Sequence, residues 1–182
     1  MGHHHPHPSE QNLRTAFFLN LAFTLVELVG GFWVNSVAIL SDAIHDLGDS
    51  LSLGTSWYLE KLAKKKPDSR YSFGYRRFSL LGALINSVVL ILGSIWVIRE
   101  AIFRIMEPET SDAKGMIGLA LLGIAVNGYA AWKVSHGKTL NERVISWHLL
   151  EDVLGWAAIL VAAVIMLFME SPYIDPVLSL LI

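Results

Sequence analysis

Residues 41–49 read Ser-Asp-Ala-Ile-His-Asp-Leu-Gly-Asp and lie inside a long apolar segment. In a helix, residues four positions apart share one face, one turn apart. His45 and Asp49 therefore present an imidazole and a carboxylate in the same direction, and His148 and Asp152 repeat this spacing later in the chain. Two such helices facing each other supply two nitrogen and two oxygen ligands. That set suits tetrahedral zinc or a related metal ion.

The two pairs are informative because ionisable groups are costly in apolar helices. A carboxylate at the centre of a bilayer costs about 2.5–3.5 kcal/mol on insertion scales, and such groups usually indicate a functional site. The alternative is a wet cavity lined by polar residues that bind no metal. A single His and Asp at this spacing would be weak evidence, since soluble helices often contain it by chance.

The composition favours an all-α membrane protein. The chain has 182 residues, of which 53% are hydrophobic, whereas soluble domains contain about 45–50%. The net charge of −2 gives no reason to expect nucleic acid as a partner, and the lack of cysteine excludes disulfides and thiolate metal sites. Residues 1–8 lack the basic region and cleavage site of a signal peptide, so the first apolar helix is expected to remain as an anchor.

The pattern of apolar segments predicts a polytopic bundle of six transmembrane helices, with the last helix truncated. Residues 1–12 are predicted to be a disordered, cytosolic, His-rich tail, which either binds metal loosely or is the remnant of a tag. Residues 13–182 form the predicted transmembrane domain. The predicted helices cover residues 13–34, 36–62, 78–105, 114–134, 143–169 and 172–182. The last of these is too short to cross a bilayer, which needs about 20 residues.

The distribution of basic residues predicts the orientation. Eleven Lys and Arg residues fall on segments that are cytosolic if the N-terminus is cytosolic, and three fall on the opposite side. This bias is a positive-inside signal. The depth of each residue in the membrane can be counted from the end of its helix at about 1.5 Å per residue. This count places His45 level with Asp152, and Asp49 level with His148. The two antiparallel pairs are therefore expected to meet near the midplane as one site.

The chain resembles the cation diffusion facilitator family of zinc and related metal transporters. The resemblance extends over residues 13–182 and is carried by the motif at 41–49, the loop Arg-Tyr-Ser-Phe-Gly-Tyr-Arg at 70–76, the intramembrane Asn86, His-Leu-Leu-Glu-Asp at 148–152, and Asp-Pro at 175–176. It implies six helices, both termini in the cytosol, a metal/proton antiport cycle and a homodimer. A bacterial-type inner or plasma membrane is the expected location.

The resemblance also implies a site and a substrate. His45, Asp49, His148 and Asp152 correspond to the transport-site ligands, and their combination resembles the zinc-preferring branch, with cadmium or cobalt as alternatives. Family members typically add a soluble cytosolic domain after helix six, which this sequence does not contain. Many have a His-rich loop between helices four and five, whereas the corresponding residues 135–141 contain a single histidine, His136.

Other polar residues near these motifs are secondary candidates. Asp42 shares the face of the first pair and either lines the exit path or stabilises a helix N-terminus. Asp46 is expected to face water or to contact a group that binds one of the four ligands, and not to reach the metal. Glu151, three residues after His148, is the alternative ligand if one of the four does not bind. Four further intramembrane polar residues are predicted to form hydrogen bonds between helices: Asn20, Glu27, Asn86 and Asn127.

Three classes of function fit a metal site in a membrane bundle. A secondary transporter of zinc out of the cytosol, which is not an enzyme, is the preferred hypothesis and rests largely on the resemblance. An intramembrane zinc hydrolase would need an open coordination position and a general base, often as H-E-x-x-H. That motif is absent, and only Glu151 could serve as the base. A structural or sensor metal protein is the third class, favoured if the site has no access path.

Overall fold

The computed structural model describes the backbone of residues 8–63, 78–135, 140–169 and 171–182, and the side chains of residues 17–51, 54, 81–135, 145–169 and 171–182. The described ranges contain six helices and no strand, which confirms the all-α prediction. The helices are α1 (Pro8–Trp33), α2 (Val37–Ala63), α3 (Phe78–Met106), α4 (Ala113–Ser135), α5 (Leu140–Met169) and α6 (Ile174–Ser179).

The helix boundaries differ from the sequence prediction mainly at the start of α1. The predicted disordered tail ended at residue 12, but α1 already begins at Pro8, so the prediction is wrong for residues 8–12. Proline is favoured at the first helical position because its missing N–H has no partner there anyway, and Glu10 and Gln11 are good helix formers. Residues 1–7, the rest of that predicted tail, lie outside the described residues.

Several helices have the length and apolarity of membrane spans. Among the described residues, Leu81–Met106, Ala113–Ser135 and Ile145–Met169 meet both criteria, while Phe17–Trp33 is a shorter apolar segment. Large apolar side chains face outward on these helices, such as Ile91 on α3 and Phe168 on α5. A water-soluble protein rarely exposes such a continuous apolar surface. The molecule is therefore a helical membrane bundle.

The core lies where α1, α4 and α5 meet. Phe23, Met116 and Trp156 are buried there, and the rings of Phe23 and Trp156 lie 5.5 Å apart between centroids. A Cβ atom on Gly123 would overlap the Trp156 indole, so only glycine allows α4 and α5 to pack this closely. Helix α2 packs between α1 and α3, and α6 packs against α2, α3 and α5. Contacts between α2 and α5 are sparse.

The turn between α1 and α2 fixes where α2 begins. Asn35 adopts φ 56°, a left-handed conformation that Asn tolerates better than most residues. The amide of Ser36 donates to the carbonyl of Gly31 at 3.0 Å, and the amide of Asn35 donates to that of Phe32 at 3.3 Å. These two bonds form a Schellman motif, which closes the C-terminus of α1. Helix α2 then starts directly, with His45 and Asp49 within its first half.

Candidate metal-binding site

Helices α2 and α5 bring three potential metal ligands together. Asp49 Oδ2 lies 3.5 Å from His45 Nε2 and 2.8 Å from His148 Nε2. One ligand atom from each of the three residues lies within 4.8 Å of the others. The two imidazole rings are 5.9 Å apart between centroids. Residues from two helices far apart in the sequence therefore converge on one point.

Two of the distances between these atoms lie near the separation expected in a tetrahedral zinc site. With zinc–ligand bonds of about 2.0–2.1 Å, two ligand atoms of a tetrahedron lie about 3.3 Å apart. The two measured distances, 2.8 and 3.5 Å, lie on either side of this value. Asp49 Oδ2 and His148 Nε2 pair with each other across the two helices at 2.8 Å. A metal ion that binds both atoms would replace the proton between them.

The fourth predicted ligand, Asp152, lies close by but does not belong to the three-residue group. Its side chain is buried, with 5% of its surface exposed, and Oδ2 has no hydrogen-bond partner within the described side chains. It lies within electrostatic range of His148, His45 and Asp49. Its place one helical turn beyond His148 on α5 keeps it on the same face.

Helices α2 and α5 approach each other on the side of the site facing the α1–α2 turn. There, a Cβ atom on Gly155 of α5 would lie 3.7 Å from Asp42 Oδ1 of α2, in van der Waals contact. Asp42 itself is only 4% exposed. The ligands are more accessible, because 54% of the His45 side chain, 27% of Asp49 and 33% of His148 are exposed. An ion could reach them without passing Asp42.

The two secondary candidates next to the ligands, Asp46 and Glu151, lie in different environments. Asp46 is fully buried and does not face water, because it lies about 100° round the helix from His45 and so points into the bundle. Glu151 is exposed and borders a shallow pocket beside His148.

Some buried polar atoms of the intramembrane polar residues have no hydrogen-bond partner in the described part of the chain. They are oxygens of Asn20, Glu27, Asn86 and Asn127, and the amide nitrogen of Asn127. The interhelical hydrogen bonds expected for these four residues stay a prediction. Glu27 lies within electrostatic range of three carboxyl groups on other helices, Asp42, Asp46 and Asp152. Sequence reasoning missed this grouping, because Glu27 carried no motif.

Comparison with known proteins identifies the family. The cation efflux transmembrane domain matches residues 13–182. The chain belongs to the cation efflux, or cation diffusion facilitator, family. This confirms the resemblance seen in the motifs, and it places the chain among transport proteins rather than enzymes.

Relatives of the chain are named as metal transporters. A protein of Bacillus velezensis named a cadmium, cobalt and zinc/H(+)-K(+) antiporter is 38% identical over 189 residues, covering 100% of this chain and 60% of the relative. The zinc transporter ZitB of Escherichia coli is 34% identical, covering 100% of this chain and 62% of the relative. The metal cation efflux system protein CzcD of Cupriavidus metallidurans is 32% identical, covering 100% and 58%. The chain thus spans about 60% of the length of such relatives.

Proposed function

We propose that this chain moves zinc out of the cytosol in exchange for protons, with cadmium or cobalt as alternative substrates. The metal binds to His45, Asp49, His148 and Asp152. The observation that carries the proposal is the convergence of three ligand atoms, from α2 and α5, within 4.8 Å. The printed names of the relatives, which include zinc, cadmium and cobalt, support the same substrates.

The charges of the ligands suit a transported divalent cation. Asp49 and Asp152 offset the two positive charges of the ion, so the occupied site is nearly neutral and tolerable inside a membrane. Both imidazoles must be neutral to coordinate the ion, so metal binding and protonation compete. Protons can thus replace the metal on His45 and His148 during the return step.

Asp152 completes the site as the fourth ligand. It lies one turn beyond His148 on the same face of α5, is buried where Glu151 is exposed, and already lies within electrostatic range of the other three residues. A change of its side-chain rotamer, or a small rotation of α5, would bring an oxygen to the ion. A closed four-ligand site also suits a carrier better than a hydrolase, which needs an open coordination position.

The direction of transport follows from the proposed orientation. With the N-terminus in the cytosol, the α1–α2 turn lies at the outer face of the plasma membrane. Asp42, which is buried on the outer side of the site, is then more enclosed than the partly exposed ligands, and we propose that the ligands are loaded from the cytosolic side. Alternating access requires a second state, in which the outer side opens and the inner side closes.

A homodimer is the proposed assembly. Apolar side chains run along the outward face of α3, with Ile91, Ile95 and Ile98 each about half exposed. Such a face is covered either by lipid or by a second copy of the chain. The family resemblance favours the second copy for part of this surface.

Zinc flux in proteoliposomes tests this proposal. We expect zinc to move against its gradient when the opposite compartment is acidic, and to stop when a protonophore collapses the pH difference. Zinc, cadmium, cobalt and manganese are compared side by side, with the Asp49→Ala variant as the inactive control. Zinc binding without flux would favour the structural or sensor alternative. Flux that ignores the pH difference would exclude proton coupling.

A further inference from the structure

The N-terminus of α2 is held by a residue of α6. Asp175 is fully buried, and its Oδ2 accepts a hydrogen bond from the amide of Val37 at 2.7 Å. Its Oδ1 accepts from Ser36 Oγ at 2.5 Å and from the amide of Ala38 at 3.4 Å. Ser36 Oγ in turn accepts from the amide of Ile39 at 3.2 Å. The three amides at the start of α2 that lack helical partners are thus all satisfied.

The other side of the same turn is held by a residue of α3. Arg104 is only 6% exposed, and its guanidinium donates to the backbone oxygen and to Oδ1 of Asn35, both at 2.6 Å. Ser111 Oγ donates to the same backbone oxygen at 2.8 Å. Glu100 orients the guanidinium through a contact of 3.2 Å. The turn is therefore fixed on both sides by side chains from other helices.

Breaking this arrangement would be expensive. Separation of α6 from α2 would leave buried amides and a buried carboxylate without partners, and unsatisfied polar groups are strongly unfavourable in a low-dielectric interior. The metal site has no comparable constraint, because α2 and α5 have few contacts and the ligands of the site are partly exposed. Movement of α2 relative to α5 is therefore easiest at the site and hardest at the turn.

We propose that Asp175 and Arg104 are positioning residues that hold the α1–α2 turn as a fixed pivot during transport. Helix α2 tilts about this pivot and carries His45 and Asp49 between the inward and outward states. The carboxylate also lies in the first turn of α6, so one side chain stabilises the positive ends of two helix dipoles. The tilting of α2 rests on the proposed transport function. The contacts of Asp175 and Arg104 with the α1–α2 turn, called the clamp below, can be tested without measuring flux.

Hydrogen exchange on the unaltered protein provides the first test. The amides of residues 37–39 should remain protected to the same degree in the zinc-loaded and zinc-free states, because the pivot is intact in both. Faster exchange of these amides in either state would overturn the pivot. Because this readout does not depend on flux, failure of the proposed transport function would be seen separately, as absent flux in the same preparation.

Substitutions at the clamp provide the second test. Asp175→Ala should lower zinc flux about tenfold or more, while equilibrium zinc affinity changes by less than about threefold, because the ligands are untouched. Asp175→Asn keeps one acceptor oxygen and should retain more flux. Arg104→Lys keeps the charge but loses the planar fork that contacts Asn35, and should resemble Asp175→Asn.

The matched control is Asp112→Asn, which alters an exposed carboxylate that caps α4 through the amide of Lys114 at 3.1 Å. It should transport like the unaltered protein. Wild-type flux in Asp175→Ala would overturn the proposal. So would a loss of zinc affinity in parallel with flux, because it would assign Asp175 a role in folding alone.

Discussion

Asp49 of α2 and His148 of α5 approach each other with Oδ2 and Nε2 2.8 Å apart. The same carboxylate oxygen lies 3.5 Å from Nε2 of His45. Asp49 is therefore the residue that joins the two halves of the candidate site. Oδ2 of Asp49 and Nε2 of His148 pair with each other, so a metal ion between the two helices would take the place of the shared proton.

The central position of Asp49 makes it the most sensitive ligand. Asp49→Ala and Asp49→Asn should each weaken zinc binding by at least about tenfold and reduce flux in proportion, because each removes the charge that offsets the ion. Binding is measured by competition with a zinc chelator, and flux in proteoliposomes. Glu151→Gln is the matched control, since Glu151 is an exposed carboxylate beside the site and should bind and transport normally. Near-normal binding by Asp49→Ala would remove this residue from the site.

Zinc affinity should depend on pH through the two imidazoles. His45 and His148 must be neutral to coordinate zinc. Protonation of either imidazole competes with the metal, so zinc affinity should fall as the pH decreases. Zinc titrations over a series of pH values measure this. An affinity that does not change across this range would argue against histidine ligands.

The packing of α4 against α5 should depend on Gly123. Gly123→Ala places a methyl group into the Trp156 indole, and such overpacking costs about 1–3 kcal/mol. The melting temperature in detergent should therefore fall. Gly118→Ala on the same helix is the control, because no atom lies within 4 Å of its added Cβ, and its melting temperature should match that of the unaltered protein. Equal melting temperatures for the two variants would contradict this account of the core.

The proposed orientation can be tested with single cysteines, because the chain has none. Ser135→Cys at the end of α4 should react with a membrane-impermeant maleimide only from the cytosolic side. Glu107→Cys, in the exposed segment after α3, should react only from the outside. The reverse pattern in intact cells would place the N-terminus outside, and the proposed direction of transport would be wrong.

The sequence alone was sufficient to predict the helices, and to predict which helix face carries each candidate ligand. The spacing of His45 and Asp49 within an apolar segment, and its repetition on α5, predicts one shared site, because helical periodicity is a local property. Three of the four predicted ligands converge in the structure. The metal-binding role of all four residues stays a prediction, and the position of Asp152 relative to an ion also depends on side-chain rotamers that no sequence pattern specifies.

The clamp around the α1–α2 turn could not be predicted in the same way. Asp175 entered the sequence analysis only as part of the Asp-Pro pair at 175–176, and its contact with Ser36 joins residues 139 positions apart. Arg104 was counted only as a charge that indicates orientation. Its burial against Asn35 depends on how α3 packs beside α2, which apolar periodicity leaves open. Long-range polar contacts of this kind require the tertiary structure.

The most direct test of the account is a structure of the zinc-loaded protein, with the ion located by anomalous scattering at the zinc absorption edge. We expect one peak between α2 and α5, with one atom each of His45, Asp49, His148 and Asp152 at about 2.0–2.2 Å. A peak elsewhere, or a peak between α2 and α5 that none of these residues coordinates, would contradict the shared site and the transport mechanism built on it.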